Sequence, residues 1–247
     1  MTNSRKVCVF LSAALAAAAL TTCSDFFSTS LASGLARDQD DIIPDVTVDN
    51  INELVDQAEG NSDLAVAVLG GIEDAMDEAT PDEAAVLRAA AVELASTASG
   101  VGVAVLNDAG TILDTLESGN LDDPIVKNDL ISDIADSLEG LSNLEETSSS
   151  LVAILPSPDD TVAFDAFVAN ATADDLAMAA IVLLSAQATA SPDGTETYLG
   201  DFDSASTSLT PAEELAVALA AKAAEKDDGT GALSDLLEVL NLYTPAP

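Results

Sequence analysis

The chain has 247 residues, 48% of them hydrophobic, so it is long enough to bury a core as one domain or as two small ones. It carries 44 acidic residues against 7 basic ones, and this formal net charge of −37 at pH 7 repels nucleic-acid phosphates and anionic lipid headgroups. The sequence has no histidine and only two cysteines, which excludes histidine-dependent catalytic triads and argues against a zinc site.

The N-terminal segment has the pattern of an export signal. Arg5 and Lys6 precede an apolar run, VCVFLSAALAAAAL, at residues 7–20. A positive start followed by an apolar run of this length is typical of a secretory signal peptide. The run is also shorter than the roughly 20 residues that a membrane span needs. We therefore predict that residues 1–22 are a signal peptide and that the protein is exported.

The segment Leu20-Thr21-Thr22-Cys23 follows directly. It resembles the lipobox of bacterial lipoproteins, in which a branched aliphatic residue stands three positions before the cysteine that is lipidated. That family usually has Gly, Ala or Ser directly before the cysteine, where this chain has Thr22. The resemblance implies cleavage between Thr22 and Cys23 and acylation of Cys23, for example with palmitate. The alternative is an ordinary cleaved signal peptide in which Cys23 is incidental.

The cysteine count favours the lipid interpretation. Cys8 lies within the apolar run and leaves with the signal peptide, so Cys23 remains alone and no intramolecular disulfide can form. More than one acyl chain gives stable anchoring to a membrane. We expect a cell-envelope protein, periplasmic or surface-facing, that is anchored by its N-terminal lipid. Cleavage removes two basic residues and no acidic one, which leaves a body with a charge of about −39.

Residues 23–47 are predicted to be the lipidated N-terminus and a tether, because Asp38, Asp40, Asp41 and Pro44 indicate a solvated loop. Residues 48–247 are predicted to form a single all-α domain. Their apolar side chains are mostly Ala, Leu and Val, and aromatic residues make up only 3% of the chain. Such side chains suit closely packed helices better than a sheet, in which β-branched and aromatic residues are enriched.

Three helix starts share one pattern, a capping threonine with an acidic residue three positions later. The pairs are Thr80 with Glu83, Thr172 with Asp175, and Thr210 with Glu213. Proline follows the threonine at positions 81 and 211, where its fixed φ suits the first residue of a helix. These pairs predict helices that begin near residues 81, 173 and 211.

Apolar periodicity and turn residues predict further helices over residues 48–59, 62–79, 103–117, 124–139, 144–155, 159–170 and 233–242. Ser62 is the expected cap of the second of these. Within it, Gly70 and Gly71 lower the helix propensity but allow a neighbour to approach closely. The segment 174–190 is apolar nearly all round, which predicts the central buried helix of the domain. With about a dozen apolar residues it is expected to be too short to span a membrane.

The stretch SPDGTETYLGDFDSASTSL, residues 191–209, predicts a long loop. The whole pattern predicts an irregular stack of antiparallel helix pairs. This is loosely similar to tetratricopeptide-like or HEAT-like helix-pair proteins, although the repeat period and landmark residues of the tetratricopeptide family are missing. A single compact bundle is the alternative.

The chain offers little catalytic chemistry. It has no glycine-rich phosphate loop with a following lysine, and the one cysteine of the mature chain is the proposed anchor. A carboxylate-based hydrolase such as a glycosidase needs two carboxylates in a cleft, normally with aromatic platforms for the sugar. We therefore predict a protein that is not an enzyme and has no cofactor.

The acidic residues leave cation binding as an open question. Ca²⁺ takes oxygen ligands, and Asp201 and Asp203 stand at alternating positions as candidate cation-binding residues. Neither this stretch nor Asp38–Asp41 completes an EF-hand loop, so a solvated loop is the alternative and no defined metal site is predicted. The net charge is explained either by adaptation to a salty environment or by attraction of cations and basic partners.

The expected function is therefore a binding or scaffolding module for a protein partner or a small solute, with an envelope protein or a transporter component as partner and no nucleic acid. The alternative is a structural or surface lipoprotein spacer without a defined ligand. A carboxylate-based hydrolase is the third hypothesis. The few cations of the body, Arg88, Lys127, Lys222 and Lys226, are expected to form local salt bridges.

Overall fold

The computed structural model describes residues 43–102, 124–141, 143–226, 237, 240 and 242. These residues are 73% helical and contain no strand, which confirms the all-α prediction. The predicted helix over residues 103–117 and most of the one over residues 233–242 lie outside the described residues. All described residues belong to one compact unit, Ile43–Pro247.

The helices that the structure describes are α1 (Ile51–Ala58), α2 (Ser62–Met76), α3 (Pro81–Ser99), α4 (Pro124–Leu138), α5 (Leu144–Ile154), α6 (Thr161–Val168), α7 (Ala173–Ala190), α8 (Thr195–Asp201) and α9 (Pro211–Lys226). All except α8 correspond to predicted helices, and their ends agree with the predicted ends to within three residues. α5 ends at Ile154, shortly before Pro156 and Pro158, because proline cannot continue a helix.

The three threonine-led starts are confirmed as capping boxes. The backbone N–H of Glu83 lies 3.4 Å from the Thr80 hydroxyl, and Glu83 accepts the Thr80 N–H at 2.9 Å. Thr172 with Asp175 forms the same reciprocal pair, as does Thr210 with Glu213. The cap predicted at Ser62 is wrong by one residue. Asn61 has the extended backbone of a cap, and its side chain accepts the N–H of Leu64 at 3.2 Å.

The folded body begins earlier than predicted. Residues 43–47 were assigned to the tether, but Val46 is only 7% exposed and packs on α2. The approach depends on Gly71, because a Cβ at this position would lie 2.4 Å from Cγ2 of Val46. Gly70 has nothing within 4 Å of such a Cβ. The expected close approach is thus confirmed at Gly71 and does not occur at Gly70.

The core is built around α3 and α7. α7 packs against α3, α5, α8 and α9, and α3 packs against α1, α2, α5, α6 and α7. The prediction of a central buried helix over residues 174–190 is confirmed, with α3 as a second central helix. Contacts such as α3 with α7 and α2 with α5 join helices that are not consecutive. A linear repeat stack would contact mainly neighbouring repeats, so this pattern favours the compact bundle.

The prediction that the central helix is too short to span a membrane is wrong. α7 has 18 residues with a mean hydropathy of 1.3, so by length and composition it is long and apolar enough to cross a membrane. However, 61% of it is buried inside the protein. It is the burial by α3, α5 and α9, and not the length, that identifies α7 as a core helix.

The loop predicted over residues 191–209 contains a short helix, α8. Gly194, at φ 90°, allows the chain to turn into its first residue. Leu199 is 1% exposed, and Phe202, which follows the helix, is 7% exposed. α8 packs against α4 and α7, and this tertiary packing stabilises a helix that the local composition does not predict.

Candidate functional site

A pocket of about 250 Å³ opens between α8, the segment 202–210 and the first turn of α9. Three kinds of side chain line it. The acidic ones are Asp193, Asp201, Asp203 and Glu213, the apolar and aromatic ones are Tyr198, Phe202 and Leu209, and the hydroxyl-bearing ones include Ser206 and Ser208. The pocket therefore combines an apolar surface with oxygen atoms that carry negative charge or accept hydrogen bonds.

One hydrogen bond connects the two helices that border the pocket. The Tyr198 hydroxyl donates to Oε1 of Glu213, and the other oxygen of this carboxylate accepts the backbone N–H of Thr210. Burial, together with the hydrogen bond to Glu213 and its negative charge, raises the pKa of Tyr198. Burial alone would raise the pKa of Glu213, but the hydrogen bonds from Tyr198 and Thr210 outweigh it and lower that pKa.

The segment between α8 and α9 is held in shape by its own polar side chains. Asp203 accepts the N–H of Ala205 at 2.9 Å, and Ser206 accepts the N–H of Ser208 at 3.3 Å. The rings of Tyr198 and Phe202 lie with their centroids 6.1 Å apart and their planes tilted by 34°. The pocket is thus lined both by these turns and by the paired rings.

The two candidate cation-binding residues meet at this pocket. Asp201 and Asp203 both line it, although Asp203 also accepts the Ala205 N–H. Within the described part of the chain, no group of three or more acidic or cysteine side chains is arranged to hold a metal ion. Cation binding by this pair stays a prediction, and Asp38–Asp41, Thr22 and Cys23 lie outside the described residues.

Of the residues that line the pocket, the sequence predicts only Asp201 and Asp203 as candidate site residues. The most informative of the others are Tyr198, which the sequence places in a long loop, and Glu213, which it places only in a capping box. The available signal was the isolated pattern of Tyr198, Leu199 and Phe202 in an otherwise polar stretch. Spacing of this kind indicates a buried face on a short helix.

The basic side chains have structural roles that were only partly predicted. Lys222 forms the expected salt bridge with Glu225, at 3.0 Å, and a longer one with Asp165, at 4.0 Å. Arg88 donates to the backbone carbonyl of Ile154 at 3.1 Å, and Lys226 donates to that of Ala171. Salt bridges of these two side chains stay a prediction. Ile154 is the last residue of α5, where carbonyls lack helical partners. Burial lowers the pKa of Arg88, while the charge of Asp160 opposes this effect.

Comparisons with protein-family models, with curated proteins and with solved structures gave no match to this chain. The similarity of residues 1–25 to a lipoprotein signal falls on residues that the structure does not describe. It therefore stays a prediction, as does the loose similarity to helix-pair repeat proteins.

Proposed function

We propose that the protein is an exported lipoprotein whose acidic helical body serves as a binding or scaffolding module in the cell envelope. The membrane part of this proposal rests on Cys23, which stands three positions after the end of the apolar run and its charged start. The binding part rests on one observation, the pocket between α8 and α9 with its apolar wall and acidic rim. A spacer without a ligand needs no such concave site.

Replacement of Cys23 tests the membrane part. Wild-type chain and Cys23→Ala are expressed with labelled palmitate in a bacterial host that processes lipoproteins, and the cells are fractionated. The wild type is expected to carry label and to remain with membranes, and Cys23→Ala to lose both properties. Cys8→Ala is the matched control, since Cys8 lies in the segment that is cleaved. Label or membrane retention in Cys23→Ala contradicts the proposal.

Capture from detergent-solubilised envelopes tests the binding part against the spacer alternative. The immobilised full chain is washed at high salt, which screens attraction between exposed charges and removes proteins held only by the net charge of −37. A binding module is expected to retain a defined protein or solute through this wash. A spacer retains nothing above the level of a bare support, and that result contradicts the proposal.

A further inference from the structure

We draw no further inference here: the strongest candidate, the acidic side-chain cluster of Asp193, Asp201 and Asp203 at the pocket between α8 and α9, consists of exposed carboxylates, and nothing else in the structure points to a ligand that they would hold.

Discussion

The hydroxyl of Tyr198 in α8 donates a hydrogen bond to the carboxylate of Glu213 in the first turn of α9. The same carboxylate accepts the N–H of Thr210 and completes the capping box of α9. Glu213 therefore both caps the start of α9 and binds the short helix α8 through Tyr198. This connection forms one side of the pocket.

Removal of the Tyr198 hydroxyl tests that connection. Tyr198→Phe keeps the ring beside Phe202 but removes the donor to Oε1 of Glu213, whose other oxygen still accepts the Thr210 N–H. It is expected to lower the free energy of unfolding by about 1 kcal/mol, as is typical for a partly buried hydrogen bond. Urea denaturation followed by circular dichroism gives the value, and Tyr243→Phe is the control for the loss of one phenol. An unchanged midpoint in Tyr198→Phe would show that the bond does not stabilise the fold.

The lowered pKa of Glu213 predicts a pH dependence of stability. Because its folded-state pKa lies below the ordinary value of about 4.3, the ionised carboxylate stabilises the folded state above that value. The contribution is lost as the pH falls through the lowered pKa. The difference in unfolding free energy between wild type and Glu213→Gln is therefore expected to be largest at neutral pH and to shrink in acid. A difference that grows on acidification contradicts the assigned direction.

Glu93 in α3 predicts the opposite pH dependence. Glu93 is exposed by surface area, but partial desolvation by neighbouring atoms, with the negative charges of Asp175 and Asp56, raises its pKa. Its ionised form therefore disfavours the folded state. That penalty is fully present above the raised pKa and absent below the ordinary value of about 4.3. Glu93→Gln is expected to stabilise the protein at pH 7, less so at high salt, where like-charge repulsion is screened. The gain is expected to vanish in acid.

Thermal unfolding at neutral pH, in acid and at high salt measures the effect of Glu93→Gln. Glu73→Gln on the exposed face of α2 is the matched control for the loss of one acidic charge. If both substitutions stabilise the protein equally, the effect comes from the net charge and not from the surroundings of Glu93.

Adjacent glycines in α2 are expected to respond oppositely to alanine. Gly70→Ala meets nothing within 4 Å and is expected to stabilise the helix by about 0.5–1 kcal/mol. Gly71→Ala places its methyl group 2.4 Å from Cγ2 of Val46, and such overpacking typically costs about 1–3 kcal/mol. Chemical denaturation of both variants gives the comparison.

The double variant Val46→Ala with Gly71→Ala removes the clash. Relative to Val46→Ala alone, the added alanine is expected to cost little or to stabilise the helix. A cost as large as in the wild-type background would show that Val46 does not lie against Gly71.

Features that depend on residues close in sequence could be predicted from the sequence. The two residues of each capping box are three positions apart, so Thr80 with Glu83 is recognisable without knowledge of the fold. Features that depend on distant residues could not. The bond from Arg88 to the Ile154 carbonyl joins residues 66 positions apart, and α8 is stabilised by packing against α4 and α7.

The candidate site shows the same division. The alternating spacing of Asp201 and Asp203 identified them as cation-binding candidates, and both line the pocket. The rest of the pocket forms only because the side chain of Tyr198 in α8 meets that of Glu213 in α9. Tyr198 and Glu213 are 15 residues apart, and no local pattern indicates that they meet.

The central claim is that Cys23 becomes the acylated N-terminus of an exported, helical binding protein. Mass spectrometry of the N-terminal peptide, taken from protein purified out of membranes, tests this claim most directly. The account predicts a peptide that begins at Cys23 and carries the mass of acyl chains on that residue. A peptide that begins elsewhere, or an unmodified Cys23, would contradict it.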